Sequence, residues 1–262
     1  MKISNQNAEH YIWGSDCDGW HLLKSDTLSV IQEQMPPGTS EQLHCHEFTQ
    51  QVFYILSGKA TFEINGQTEM ISANESIHIP RKTLHRISNA QQEHLTFIVI
   101  SEPKSHGDRI EIIDYSEQLK APIKTLNVEW LEKYFSVEPN DIIQLSNPKE
   151  EIIDKGGMIF YTKHNNEIVG TASLLKVENN IYELGKMAVT DKCQGHGIGN
   201  VLMEHCLAVA KQQGIQKLIL YSNTKLAPAI HLYRKYGFTE TLLEHPHYQR
   251  ANIKMEKNLY SL

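Results

Sequence analysis

The residues best able to do chemistry fall into two groups. The first is His44-Cys45-His46, with Gln51 five residues on and His85 further along. Residues i and i+2 of a strand share a face, so the paired imidazoles can point together into an enclosed space. Imidazole is a natural ligand for Zn, Fe, Cu or Ni, and its second ring nitrogen then needs a hydrogen-bond partner. Gln51 adds a neutral carbonyl oxygen. Gln50, its neighbour, faces the other side of the strand. The H-x-H pair alone carries little weight, because such pairs also sit half exposed on ordinary strands. The second group is Gln194-Gly195-His196-Gly197-Ile198-Gly199, just ahead of a run containing Val201, Leu202, Cys206, Leu207, Val209 and Ala210. A glycine-rich turn entering a helix gathers backbone N–H groups at the positive end of the helix dipole, which suits a pyrophosphate. A tight strand-to-helix connection has the same look. The spacing is neither that of a P-loop nor that of a dinucleotide-binding G-x-G-x-x-G turn.

The chain that must position these groups has 262 residues, enough for one large domain or two ordinary ones. It carries 25 Lys and Arg against 31 Asp and Glu, a formal net charge of −6. Divided near residue 105, the first part has 7 basic and 12 acidic residues and the second 18 and 19. Neither part is basic, which argues against a broad nucleic-acid surface. Apolar residues make up 40%, enough for real cores. The apolar run Phe97-Ile98-Val99-Ile100 falls far short of the ~20 residues of a spanning helix, so no membrane segment is expected. The first residues lack the apolar stretch of a signal peptide. Cys17, Cys45, Cys193 and Cys206 form no C-x-x-C pair and read as free thiols of a cytoplasmic protein.

Two rhythms divide the chain. Up to about residue 101 short strands alternate with turns: Leu28 to Glu33 before Pro36-Pro37-Gly38, Val52 to Leu56 before Gly58, and Thr61 to Ile64 before the hairpin signal Asn65-Gly66. Further short strands are expected around Met70, Ile77, His85 and Phe97, an antiparallel barrel or sandwich. His78 faces either the interior or solvent, and His10, His21 and His94 read as surface residues. Ser101 to Asp108 is polar, with Pro103 and Gly107, and reads as a linker. Beyond it helices alternate with strands. Helical spacing covers Ile123 to Phe135, Asn147-Pro148 opens a short helix, and Gly197 to about Gln213 and Ala227 to Tyr236 are helices. Strands are expected at Met158–Lys163, Ile168–Val177, Ile181–Val189 and Lys217–Ser222, with two more at the end. The expected division is residues 1–103, a linker at 104–108, and residues 109–262.

The spacing Gly38-x5-His44-x-His46-x4-Gln51-x6-Gly58 resembles the first motif of the cupin superfamily, which has Glu where Gln51 stands. Asn74-x5-Pro80-x-Lys82-x2-His85-x3-Asn89 resembles the second, with Asn74 and Lys82 in place of family glycines. The resemblance spans about residues 20–101 and implies an all-β double-stranded β-helix barrel. It also implies a divalent transition metal (Zn, Fe, Mn or Ni) held by His44, His46, Gln51 and His85. Three imidazoles and an amide leave the metal's charge uncompensated, which favours Lewis-acid action on an anionic or enolisable substrate. The other reading is a metal-free cupin that binds a small molecule or only dimerises. Pairing of two such barrels into a homodimer is implied by the resemblance alone.

Gln194-x-x-Gly197-x-Gly199 resembles the signature of the GNAT acetyltransferase superfamily. The strand Leu218 to Asn223 and the run Ala229-Ile230-His231-Leu232-Tyr233-Arg234-Lys235-Tyr236-Gly237-Phe238 are similar to the family's downstream part. The resemblance covers about residues 109–262 and implies an α/β fold with a mixed, mostly antiparallel sheet. It implies acetyl-coenzyme A, its pyrophosphate on the amides of Gln194, Gly195, His196, Gly197, Ile198 and Gly199. Its pantetheine would lie along Met187, Ala188 and Val189. Tyr233 takes by resemblance the position that protonates the leaving thiolate, with Asn223 supporting cofactor or acid; simple helix packing is the other reading of Tyr233.

Acyl transfer to an amine needs a neutral nucleophile, yet an alkyl ammonium has a pKa of ~10, so a base must take its proton. Glu183 on the central strand is the candidate, directly or through a water, and a salt-bridged strand residue is its alternative. A backbone N–H near Met187 can serve the oxyanion. His245 and His247 border the acceptor site by resemblance. Glu129, Tyr134 and Glu138 either draw a cationic amine or form a solvated face over core Trp130 and Phe135. The expectation is therefore an acetyl-coenzyme A-dependent N-acetyltransferase for a small-molecule amine or amino-acid-like acceptor, with a protein amine as the alternative acceptor, fused to a metal-binding cupin. The cupin then either senses a ligand or dimerises to regulate the transferase, or is a separate isomerase, lyase or dioxygenase.

Overall fold

The computed structural model of the protein describes residues 2–105, 109–243 and 248–260. By its contacts the chain separates into two units, Met1–Glu111 and Ile112–Leu262. Among the described residues no helix is long and apolar enough to cross a membrane.

The first unit is built of β1 (Glu9–Trp13), β2 (Cys17–Lys24), β3 (Ser29–Met35), β4 (His44–His46), β5 (Gln50–Ser57), β6 (Lys59–Ile64), β7 (Gln67–Ser72), β8 (Ser76–Ile79), β9 (His85–Ser88), β10 (Leu95–Glu102) and the start of β11 (Arg109–Asp114). One antiparallel sheet has the order β1-β2-β3-β10-β5-β8. In the second, β4 lies between β11 and β9, and β6 lies between β9 and β7. Period-two alternation turns Met35, Phe53, Ile55, Phe97 and Val99 of one sheet towards Phe62, Ile71 and Ile87 of the other, and these form one buried cluster. This is the double-stranded β-helix architecture expected. The strands β1 and β2 were not foreseen. Their stretch, from Glu9 to Lys24, mixes Trp, His, Asp and Gly without an uninterrupted alternation, and pairing across to β3 supplies what the local pattern lacks.

The turns obey the chemistry of their residues. Asn65 and Gly66 join β6 to β7 with φ of 48° and 78°, the two left-handed residues of a type I′ hairpin. The four motif positions Gly38, Gly58, Asn74 and Lys82 have φ of 76°, 84°, 68° and 62°. The left-handed backbone thus persists where the sequence departs from glycine. Asn74 tolerates it through its short polar side chain. Lys82 is held by its N–H donating to the His46 carbonyl at 2.7 Å and by its ammonium 2.7 Å from Glu47.

The second unit has a six-stranded sheet. β12 (Met158–His164), β13 (Glu167–Glu178) and β14 (Ile181–Val189) form an antiparallel meander. β14 pairs in parallel with β15 (Lys217–Ser222), and β15 pairs antiparallel with β17 (Ile253–Asn258), which carries β16 (Thr239–Thr241) at its edge. The sheet is mixed and mostly antiparallel, as expected. Helix α1 (Lys120–Tyr134) covers one face, with Ile123 and Leu131 in a cluster with Ile159, Tyr161 and Leu175. Helix α3 (Ile198–Gln212) covers the other, where a Cβ on Gly170 would meet Ile198 and Leu202 at 3.1 Å. Helix α4 (Ala227–Lys235) follows β15. The helix expected at Asn147-Pro148 is displaced. Instead α2 (Pro139–Ser146) precedes it, Asn147 closes that helix, and Lys149–Ile153 is a short π-helical turn. The physical reason is a capping box: Glu138 accepts from the backbone of Asp141, and Asp141 from the N–H of Glu138 at 3.3 Å.

Gly58 tests how firmly the β-turn backbone is set. A Cβ there would lie 2.9 Å from the carbonyl oxygen of His94, and the residue sits at φ 84°. Gly58→Ala is expected to lower stability by about 1–2 kcal/mol from the left-handed conformation alone, with the backbone collision added. A urea denaturation midpoint equal to that of the parent would contradict this.

Candidate functional site

In the first unit the structure brings the three histidines together. His44 and His46 come from β4 and His85 from β9, directly across the pair from His44. One ring nitrogen from each lies within 4.8 Å of the others, and all three side chains are buried. Gln51 joins them from β5, its Oε1 3.0 Å from His85 Nε2 and its Nε2 donating to Ser101 Oγ at 3.2 Å. Gln50 faces away, bonded to Glu102 and His78. His78 lies exposed, and His21 is half-buried, stacked on Tyr11 at 5.0 Å rather than lying free on the surface.

Burial keeps these rings neutral. The His46 pKa is pushed down to about 3 by burial first, then by His85 and Arg109. That of His85 is pushed down to about 4 by burial and Arg109, against a bond to the Thr83 carbonyl. His44 lies well below its ordinary value, from burial, His85 and Arg109. A neutral imidazole carries one N–H, and two of the rings offer theirs to backbone: Nδ1 lies 2.9 Å from the Gln42 carbonyl in His44 and 2.9 Å from the Thr83 carbonyl in His85. That tautomer leaves each Nε2 as a lone pair; at His44 an Arg109 N–H competes for the same Nδ1, at 3.2 Å, whereas His85 has no such competitor among the described residues. For His85 the lone pair then faces the Gln51 oxygen, two acceptors 3.0 Å apart. A cation shared by the two resolves that opposition, so the donor set fits a metal.

In the second unit the sheet opens at its centre. β14 and β15 pair only through Ile181–Glu183 and Lys217–Ile219, after which they part. A bulge in β14 opposite Ala172 falls at Lys186–Met187, and Lys186 has φ 49°. Beyond the bulge Met187, Ala188 and Val189 have no strand on the β15 side among the described residues. Next come Gln194–Gly199. Gly195 and Gly197 stand at φ 84° and 74°, the latter at the start of α3, which has no side-chain cap. Gln194 anchors the loop through its Nε2, which donates to the Val189 carbonyl at 3.3 Å and to Asp191 at 2.8 Å. A Cβ on Gly199 would meet Leu232 Cδ2 at 3.4 Å and Met187 Cε at 4.0 Å, so β14, α3 and α4 converge there.

Tyr233, next to Leu232 on α4, is half-buried. Burial pushes its phenol up to about 12, and its hydroxyl makes no hydrogen bond among the described residues. Asn223 spends both ends of its amide on backbone: Nδ2 donates to the Arg250 carbonyl at 2.6 Å, and Oδ1 accepts from Lys225 at 2.9 Å.

Glu183 is buried on the α1 face, and Tyr248 donates to its Oε1 at 3.3 Å. Gly185, two residues on, makes the room: a Cβ there would lie 3.2 Å from Glu183 Oε1. A charged network missed by the sequence reading surrounds this pair. Lys186 Nζ lies 3.2 Å from Asp141 and 3.4 Å from the Tyr248 hydroxyl, and Arg250 makes two bonds to Asp141, at 2.6 and 3.0 Å. Burial opposes ionising Asp141, but Arg250 and Lys186 outweigh it and hold its pKa below the ordinary value. Burial lowers the pKa of Lys186, against the pull of Asp141. The Glu138-Pro139-Asn140-Asp141 helix start was the available signal for Asp141; nothing local marks Tyr248 or Arg250. Glu138 accepts from the N–H groups of Gln249 and Arg250, and Glu129 from Thr190 and Asp191, so both are engaged in fastening the chain. Trp130 and Phe135 pack edge to face at 6.1 Å, half-buried. Tyr134 is exposed. His245 and His247 lie outside the described residues.

The geometry defines a β-roll with an enclosed histidine cluster and an α/β sheet split beside a glycine-rich helix start. Comparison with known proteins gives the same two classes. The cupin domain pattern matches residues 32–101, and that of the Acetyltransferase (GNAT) family matches residues 123–238. The oxalate-binding protein of Thermotoga maritima is 33% identical over 85 residues, 30% of this chain and 70% of that one. Streptothricin acetyltransferase of Streptomyces lavendulae is 40% identical over 67 residues, 26% of this chain and only 35% of that protein. A GNAT-family acetyltransferase structure from Staphylococcus aureus Mu50 aligns with a TM-score of 0.54 and 25% identity, covering 58% of this chain and 99% of that one. The chain therefore carries an N-terminal cupin domain fused to a C-terminal GNAT acetyltransferase domain. The second implies acetyl transfer from acetyl-coenzyme A.

The neutral imidazoles set a pH dependence. The unfolded chain takes up protons on its histidines below about 6.5, whereas the folded rings resist down to about 3–4. Their contribution is therefore fully present above pH ~6.5 and is lost as pH falls through that window, by up to ~1.4 kcal/mol per pH unit for each ring. In metal-free protein the melting transition of the cupin unit is expected to move down steadily between about pH 6.5 and 4.5. A midpoint constant across that range would mean the rings protonate in place.

Proposed function

We propose that the protein is an acetyl-coenzyme A-dependent N-acetyltransferase of a small amine or amino-acid-like acceptor, joined to a cupin that binds a divalent transition metal. The observation that carries the transferase reading is the opening between β14 and β15, flanked on one face by the α3 start and Met187 and on the other by Glu183. Met187–Val189 would hold the pantetheine of the cofactor, and the amides of Gln194–Gly199 would hold its pyrophosphate. The α3 start is uncapped, which leaves the amides that follow Gln194 available to it, while the Gln194 N–H donates to the Asp191 carbonyl at 3.4 Å. The acceptor approaches from the α1 face. Glu183 takes the ammonium proton, directly or through a water, while Tyr248 holds the carboxylate in place. A backbone N–H at the bulge meets the oxyanion. Tyr233, kept protonated by burial, supplies the proton to the departing thiolate. Asn223 shapes the end of β15 through its backbone bonds. Four free cysteines fit a reducing cytoplasm.

In the cupin, His44, His46 and His85 would hold the metal with the Gln51 carbonyl. The bound metal would supply Lewis-acid polarisation of an oxygen ligand. The oxalate-binding relative supports a small oxygen-rich ligand for this domain.

Two measurements test the two halves. Tyr233→Phe is expected to lower acetyl-coenzyme A turnover with an amine panel by about a hundredfold, with cofactor affinity within a few-fold of the parent; unchanged turnover would remove Tyr233 as the acid. Elemental analysis of the purified protein is expected to show near one equivalent of Zn, Fe, Mn or Ni, lost in the His44→Ala/His85→Ala variant. No metal after incubation with each would reduce the cupin to a binding module.

A further inference from the structure

Ser29 is one of the cupin's buried polar residues. It is only 5% exposed, and its Oγ has no hydrogen-bond partner. A buried hydroxyl without a partner opposes folding; Thr162, Thr171 and Ser173 of the second unit stand in the same position, so what distinguishes Ser29 is its place in the sheet. The register shows what it aligns with. Ser29 of β3 lies opposite Ser101 of β10, and Ser101 lies opposite Gln51 of β5. Alternation puts all three on the inward face: Ser29 with Ile31 and Met35, Ser101 with Val99 and Phe97, Gln51 with Phe53 and Ile55. Ser101 is 1% exposed and takes the hydrogen bond from Gln51, which reaches His85 on its other side. The next row, Ile31–Val99–Phe53, is apolar and belongs to the core. A line of polar groups therefore runs from the histidine cluster across three strands and ends at an unused hydroxyl.

We propose that the Ser29–Ser101–Gln51 row is a recognition ledge for an anionic, oxygen-rich small molecule, a dicarboxylate or hydroxy acid of about four carbons or more, with one end at the histidine cluster. The inference deepens the proposed role of the cupin and rests on the histidine cluster being a ligand centre. The anionic class follows from charge. Three neutral imidazoles and an amide bring no negative charge to the cation they fit, so that charge is left for the ligand to balance; Arg109, 3.2 Å from His44 Nδ1, is already paired with Glu41 and Glu111. The length follows from the sheet. Neighbouring strands stand about 4.8 Å apart, so Ser29 is about 9–10 Å across the sheet from Gln51. A two-carbon dianion is too short to meet both ends, whereas a four-carbon chain spans the gap once hydrogen-bond lengths are included. The hydroxyls donate, the far oxygens of the ligand accept, and the mismatch at Ser29 ends only in the complex.

Calorimetric titration of the full-length protein tests this, with succinate, malate and the two-carbon dicarboxylate as probes, with and without bound Mn2+ or Zn2+. Succinate or malate is expected to bind the parent, and Ser29→Ala and Ser101→Ala to weaken it about tenfold or more. The two-carbon acid is expected to change less than about twofold on Ser29→Ala. Metal stoichiometry should be the same in the parent and both variants. The ligand-free melting point of Ser29→Ala should equal or exceed that of the parent, because no hydrogen bond is lost. Equal succinate and malate affinity in parent and Ser29→Ala, no binding of either four-carbon acid to the parent, or a lower ligand-free melting point in Ser29→Ala would each overturn the ledge. Failure of the parent to bind metal would overturn the metal centre separately, and the same comparison on metal-free protein would still decide the ledge.

Discussion

The C-terminal domain turns on a backbone constraint: β14 and β15 can pair only as far as Glu183 and Ile219. The two strands leave a gap in the sheet beyond that pair, and a bulge at Lys186–Met187 then changes which residues face each side. The other features depend on it. The unpaired edge of Met187–Val189 is the surface on which a strand-like cofactor would pair. Gln194 ties the glycine-rich loop to the end of that edge, and Leu232 brings α4 and Tyr233 alongside. On the opposite face Glu183 sits in room left by Gly185. Parallel pairing is a little weaker per residue than antiparallel, which makes this pair a natural place for the sheet to open.

Holding the bulge in place takes a buried charged network. Lys186 stands in a left-handed conformation that a lysine adopts at some strain, and its side chain is buried. Asp141, Arg250 and Tyr248 surround its ammonium, while Asn127 donates to its carbonyl at 3.2 Å. Removing one partner from such a group leaves an uncompensated buried charge, which costs about 3–5 kcal/mol. The network therefore ties α1, α2, β14 and the segment after Tyr248 to one geometry.

The cupin domain balances the same forces differently. It buries three ionisable rings by keeping them neutral rather than by pairing them with acids. Nδ1 of His44 and His85 is committed to backbone carbonyls, so the free nitrogens converge. The interior is then apolar towards Phe53 and Phe97, and polar along Ser29, Ser101 and Gln51.

Much of this was legible in the sequence because it is local. The H-x-H spacing fixed that His44 and His46 share a strand, and Asn65-Gly66 marked its hairpin through the left-handed preference of those residues. Ile181–Val189 and Lys217–Ser222 were readable to the residue from apolar runs bounded by turns. The glycines at 195 and 197 announced a helix start. What stayed hidden depends on contacts between distant segments. Asp141, Lys186, Tyr248 and Arg250 are scattered over more than a hundred positions, and each alone looks like a surface residue. Ser29 and Ser101 become a row only when β3, β10 and β5 pair in register. Sequence spacing determines which side chains share a face, because strand and helix periods are fixed by covalent geometry. Which faces meet, and hence which polar groups are buried together, is decided only by tertiary packing, where hydrophobic burial sets the strand register and the polar groups must find partners within it.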